Sequence, residues 1–406
     1  VGFQEGLVEV LHGSLLLVLG SMFAAAQDDK DPSLLTLDRI YTSDQFEADS
    51  FTAEWTEDGS GYTQLQPSES VSGEKDIVLH DVLSGKTELL VPAQRLVPPG
   101  QSAPLEVESY AFSANRAHVL IYTNSVRVWR RNTRGDYWVL DRGSHELRKI
   151  GRDARPSTLM FAKFSPDGRH VAYVRENNIY IEDLVSGNTT ALTRSKDPHV
   201  INGTSDWVYE EELGLRDGFR FSPDGRYVAY WQIDTAGVRT FPLINNTASL
   251  YPQITTFAYP KVGQQNSSCR VGVIPSGGGP TTWMDVAGEV RNHQKGRIDR
   301  VHGGKRILLQ QLNRLQNTNR VLLADPQTGQ TELVLTERDE AWVAVHDEVQ
   351  WLADGDRFTW ISERDGWRHV YLVSLAGEPI QLATPGPYDV IRLLHVDQQR
   401  GWLYFQ

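Results

Sequence analysis

From about residue 50 the chain keeps returning to one pattern of apolar and polar positions. An aromatic or apolar strand is followed by a Pro-Asp-Gly turn, and then by a strand that alternates with period two. Two copies nearly coincide, residues 161–173 (FAKFSPDGRHVAY) and 219–230 (FRFSPDGRYVAY), and weaker copies begin at Trp55, Phe112 and Trp351. Proline presets φ at the first turn position and Asp-Gly tolerates tight or left-handed geometry, so each copy predicts a hairpin. A second strand pair follows, as in residues 178–184 with 186–193, 76–81 with 84–87 and 321–325 with 328–331. Hairpin, Asp-x-x-(Ser/Thr)-Gly turn and outer strand together predict a four-stranded blade. A recurrence of roughly 50 residues fits an all-β propeller better than a sandwich, whose turns show no long-range repeat. About six units are visible, and the last ends at the strand-like residues 401–406, so residues 51–406 are expected to form an incomplete propeller.

Composition agrees with many short strands: Trp (11), Tyr (15), Phe (13) and Gly (34) are plentiful, while Met (3) and Cys (1) are scarce. A net charge of -12 argues against nucleic acid as the main partner, because phosphate binding needs a basic face. The single Cys269 cannot staple the chain and reads as a small side chain in a loop. The histidines lack zinc-site spacing and no phosphate-binding glycine loop occurs, so neither metal nor cofactor is expected. An apolar run at residues 15–23 followed by Ala24, Ala25 and Ala26 predicts an export signal over residues 1–26, with an uncleaved membrane anchor as the alternative. Residues 27–50 then form a lead-in, and the location expected is periplasmic, secreted or cell-surface.

One segment breaks the repeat. Residues 202–214 (NGTSDWVYEEELG) show no strand alternation and predict a short helix, capped by Ser205 or Asp206 and stopped by Gly214. Its three glutamates read either as a solvated face or as a socket for an ammonium group. Neighbouring helical positions diverge by about 100°, so two adjacent carboxylates can grip a cation from two sides. Each would raise the other's pKa unless a cation lies between them.

The run Asp206 to Glu212 (DWVYEEE), with FSPDG at residues 221–225 and then Tyr230, resembles a long and specific segment of the dipeptidyl peptidase IV family. Tyr251-Pro252, residues 259–263 (YPKVG) and 363–369 (ERDGWRH) extend the resemblance, which runs from about Leu35 to the end. The resemblance implies an eight-bladed propeller preceding an α/β-hydrolase domain with a Ser-Asp-His triad. It assigns the free amino terminus of a peptide to Glu211 and Glu212, leaves Glu210 a structural role, and places an assisting arginine after a tryptophan. Arg130, after Trp129, holds that position, with Arg131 as a rival. The implied partners are peptides with a free amino terminus, the C-terminal hydrolase domain and a second copy in a homodimer. The implied activity is release of Xaa-Pro or Xaa-Ala dipeptides. A second family arginine after a Trp-Val phrase has no counterpart in residues 342–348, so the far side of the pocket is expected to differ. No Gly-x-Ser-x-Gly elbow occurs, and His302-Gly303-Gly304 reads as a turn, so no catalytic residue is expected in this chain. The alternative is a propeller without catalysis that serves as an interaction module. The Glu pair and the arginine favour the enzyme part.

Overall fold

Successive side chains of one strand pack against different neighbours: Val119 and Ile121 join a core with the sheet before them, and Leu120 joins a core with the sheet after. The same division recurs along the chain. Val171 and Tyr173 face backward while Ala172 and Val174 face forward, and Val228 and Tyr230 alternate in this way with Ala229 and Trp231. Leu308 likewise opposes Ile307 and Leu309, and Trp360 opposes Ile361. Period-two alternation with apolar residues on both faces is what a sheet stacked between two others requires. The hydrophobic clusters therefore lie between consecutive sheets, and the fold is a β-propeller.

The computed structural model describes residues 33–47, 51–300 and 305–406. The expected export segment and the expected turn at His302, Gly303 and Gly304 lie outside the described residues. Antiparallel meanders follow one another over residues 54–91, 109–149, 159–191, 200–283, 293–338 and 351–382, and a hairpin of Leu393–Asp397 with Trp402–Phe405 comes last. The second and third are four-stranded units joined by one pairing, Gly135 with Leu159. Among the described residues no helix is long and apolar enough to cross a membrane.

The repeated turns explain the repeated sequence. Asp167 accepts the Ser165 hydroxyl at 2.6 Å and the Arg169 backbone N–H at 3.1 Å, while Gly168 takes φ +68°, where a side chain would strain the backbone. In the outer turns Asp183 accepts the backbone N–H groups of Val185 and Ser186, and Asp325 accepts those of Gln327 and Thr328. Both motifs satisfy turn donors that would otherwise be unpaired.

Two features depart from the expectation. Cys269 is not in a loop: it lies in the strand Ser268–Pro275, fully buried, and burial pushes its thiol up to about 11. Its alternating neighbours Val271 and Val273 share its core cluster, which explains why a small apolar-tolerant side chain stands there. A hairpin of Thr240–Asn245 with Gln253–Ala258 also grows out of the fourth sheet, between Tyr227–Asp234 and Ser268–Pro275.

Candidate functional site

The first edge of the fourth sheet is split. Val200–Asn202 and Phe219–Phe221 both pair with Tyr227–Asp234, and residues 203–218 loop out between them. Backbone bonds close the neck of this loop: Gly203 donates to the Trp231 carbonyl at 3.1 Å, Gly218 to the Gly203 carbonyl at 3.0 Å, and Trp231 to the Gly218 carbonyl at 3.0 Å. A Cβ on Gly218 would lie 2.6 Å from the Gly203 carbonyl carbon and 2.7 Å from the Thr204 nitrogen, so the crossing demands glycine.

The loop carries the helix Trp207–Leu213. Asp206, and not Ser205, is its cap: the carboxylate accepts the Tyr209 N–H at 3.0 Å and the Ser267 hydroxyl at 2.6 Å. Burial pushes the Asp206 carboxyl up, and those bonds oppose the shift. Gly214 ends the helix at φ +64°, and Tyr209 and Leu213 sink into the core below. The amphipathic turn thus fixes which carboxylates face outward.

The three glutamates have three different environments. Glu210 is buried and accepts the Arg216 guanidinium at 3.2 Å. Glu211 accepts Arg130 Nε at 2.6 Å, and Arg130 Nη2 bonds its other oxygen, a bidentate fork across two sheets. Glu212 is exposed, and its carboxylate has no partner among the described residues. The bonds from Arg130, with its charge, hold the Glu211 carboxyl below the ordinary glutamate value. The protein therefore supplies the cation that two adjacent carboxylates need, and leaves one carboxylate free.

Arg130 reaches Glu211 from the turn between His118–Arg127 and Asn132–Asp141, where Val128 donates to the Arg131 carbonyl at 3.1 Å. Its rival Arg131 is exposed, and its guanidinium has no partner among the described residues. Trp129 packs on Phe257 with ring centroids 4.9 Å apart, and Trp207 packs on Tyr259 at 4.4 Å. A cavity of about 340 Å³ beside the helix is lined by Trp129, Trp207, Glu210 and Phe257 among others. Within residues 342–348, Trp342 is exposed and Asp347 is engaged by Arg297. Among the described residues no cluster of His, Cys, Asp and Glu could hold a metal ion.

Sequence reasoning missed three contributors. Phe257 and Tyr259 come from or just after the inserted hairpin, and Lys163 binds Asp217 from the neighbouring sheet. The only sequence signal was the YPKVG phrase that begins at Tyr259, quoted above for resemblance alone.

A family model, the dipeptidyl peptidase IV (DPP IV) N-terminal region, matches residues 113–406. A probable dipeptidyl peptidase 4 of Aspergillus fumigatus is 28% identical over 390 residues, covering 91% of this chain and 48% of that protein. Dipeptidyl peptidase 4 of Trichophyton rubrum is 28% identical over 349 residues, covering 83% and 44%. The crystal structure of Porphyromonas gingivalis dipeptidyl peptidase 4 superposes with a TM-score of 0.82 at 27% identity, covering 92% of this chain and 52% of that one. The chain spans about half the length of the curated relatives it matches.

Proposed function

This chain belongs to the dipeptidyl peptidase IV family, and from that premise we propose that it is the part of an exported serine dipeptidyl peptidase that captures the free amino terminus of a peptide. Glu211 and Glu212 take the ammonium group, and Arg130 orients Glu211 and offers its remaining N–H groups to the substrate carbonyl. The observation that carries this reading is the bidentate Arg130–Glu211 fork beside the unpartnered Glu212. An ammonium has three donors and needs converging acceptors, and a carboxylate already oriented by a guanidinium loses little entropy on accepting one of them. Fixing the amine sets which peptide bond reaches a nucleophile, so anchoring acts through positioning. The nucleophile belongs to a hydrolase domain that this chain serves, and the product is an Xaa-Pro or Xaa-Ala dipeptide. Export through residues 1–26 and assembly with a second copy are parts of the same proposal.

The test is calorimetric titration of this chain with an Ala-Pro tripeptide that has a free amino terminus, against its N-acetyl counterpart. Acetylation is expected to weaken binding at least about tenfold, equivalent to ~1.4 kcal/mol, and Glu212→Gln to abolish the difference. Equal affinity for both peptides overturns the proposal.

A further inference from the structure

We propose that Lys163, on the neighbouring sheet, is a positioning residue for the amine site. The inference rests on the reading of Glu211 and Glu212 given above. Lys163 lies in Leu159–Phe164, the strand of the third sheet that faces the split edge of the fourth. Its ammonium binds both oxygens of Asp217, at 2.5 and 2.6 Å, and the Phe219 carbonyl at 2.9 Å, so all three of its donors are used. It also sits 3.6 Å above the centroid of the Phe219 ring. Asp217 and Phe219 flank Gly218, the residue that closes the neck of the loop.

The consequence runs through the loop's return leg. Arg216, next to Asp217, binds Glu210, which precedes Glu211 on the helix. Arg220 meets Asp217 from the other side at 3.0 Å. Oppositely charged side chains thus alternate from Lys163 through Asp217 and Arg216 to Glu210. The return leg is pinned to a different blade from the one that carries it. The neck, the Asp206–Ser267 bond and the buried Tyr209 and Leu213 fasten the loop to its own sheet, and Arg130 reaches Glu211 from the second sheet. The Lys163–Asp217 contact adds an attachment of the return leg to the third sheet, and through Arg216 and Glu210 it refines the direction in which Glu211 and Glu212 face. Precision of this kind is what an anchoring site needs, because a small misplacement of the amine displaces the scissile bond.

The test compares Lys163→Ala, Lys163→Arg, Asp217→Asn and the Lys163→Ala/Asp217→Asn pair in the full chain, by titration with the free-amine tripeptide and by hydrogen exchange. Lys163→Ala and Asp217→Asn are each expected to weaken binding about tenfold, the double variant no further, and Lys163→Arg to retain most of it. Faster exchange should be confined to residues 203–218. Wild-type affinity in Lys163→Ala overturns the inference, as does loss of protection spread across the third and fourth sheets, the mark of a merely structural pair. If the wild-type chain does not distinguish free from acetylated peptide, the reading of the amine site fails. The exchange of residues 203–218 then decides alone whether Lys163 holds the loop.

Discussion

Arg130 and Glu211 are 81 residues apart in sequence and meet through a two-pronged hydrogen bond, Nε to Oε2 at 2.6 Å and Nη2 to Oε1. The guanidinium keeps the Glu211 carboxyl below its ordinary value of 4.5, chiefly through the hydrogen bonds. A depressed carboxylate pKa means that the charged form persists further into acid. Arg130→Met removes that support, so Glu211 should protonate at higher pH, and the acid limb of free-amine peptide binding should move upward. The peptide's own ammonium stays protonated throughout this range, so the limb reports the carboxylates. Titrations between about pH 2.5 and 7 check this, and coincident acid limbs would show that Arg130 does not tune Glu211.

Gly218 is the tightest point of the loop's attachment. The three atoms nearest a methyl group there are all backbone, Gly203 C at 2.6 Å, Thr204 N at 2.7 Å and Gly203 O at 2.9 Å, none of which can rotate away. Overpacking of this kind costs about 1–3 kcal/mol. Gly218→Ala should lower the unfolding free energy by that amount, read from the denaturant midpoint, and expose residues 203–218 to exchange. Gly214→Ala has open space around it and is strained only by its φ of +64°, so it should cost less. Equal stability of the wild type and Gly218→Ala would mean that the neck can open.

The propeller was legible because its signal is local and repeated. SPDG turns and Asp-x-x-(Ser/Thr)-Gly turns each satisfy their own backbone donors, as Asp167 and Asp183 show, so the sequence need not know about distant contacts. The acidic helix was legible for the same reason, from Asp206 to Gly214. The pairing of Arg130 with Glu211 rested on resemblance, since no local rule links positions so far apart. Lys163 and Phe257 were invisible, because each acts across a boundary between structural units. Lys163 reads as one polar position in a strand, and the inserted hairpin carries no Pro-Asp-Gly turn to mark it. Cys269 was misplaced because its strand follows that hairpin and not a Pro-Asp-Gly turn.

Lys295 has its amine buried beneath the helix with no hydrogen-bond partner among the described residues. Its strand backbone is used, since its carbonyl accepts Trp231 Nε1 at 2.8 Å and its N–H meets the Tyr209 hydroxyl at 3.4 Å. Burial pushes the ammonium below its ordinary value of 10.5. Below the folded pKa the charged amine is buried in full and the penalty is complete. As pH rises from the folded value toward 10.5 the unfolded chain holds more protons, so stability rises and the penalty is relieved. Lys295→Met, which keeps the stem and removes the amine, should therefore stabilise the chain by about 1–3 kcal/mol near neutral pH, with the gain shrinking toward pH 10.5. Denaturant midpoints of the two proteins across pH test this. A destabilised Lys295→Met at pH 7 would show that the amine is satisfied in solution.

Phe257 touches both segments that build the site, with ring centroids 4.9 Å from Trp129, next to Arg130, and 6.2 Å from Trp207, the first residue of the acidic helix. It also meets Tyr259 edge-on at 5.8 Å. Aromatic pairs of this kind contribute about 0.5–1.5 kcal/mol each beyond their buried area. The inserted hairpin therefore packs between the arginine turn and the helix, and its rings should help hold the two ends of the Arg130–Glu211 fork, whose arginine is 68% exposed, at a fixed separation. Phe257→Ala should leave the sheets intact, because the ring lies outside their core clusters. It should raise exchange of residues 127–131 and 203–218 together and weaken free-amine peptide binding several-fold, while Phe257→Tyr preserves both. Faster exchange in the helix loop alone would show that the hairpin steadies one side only. Unchanged binding in Phe257→Ala would show that the guanidinium finds Glu211 without help from the hairpin.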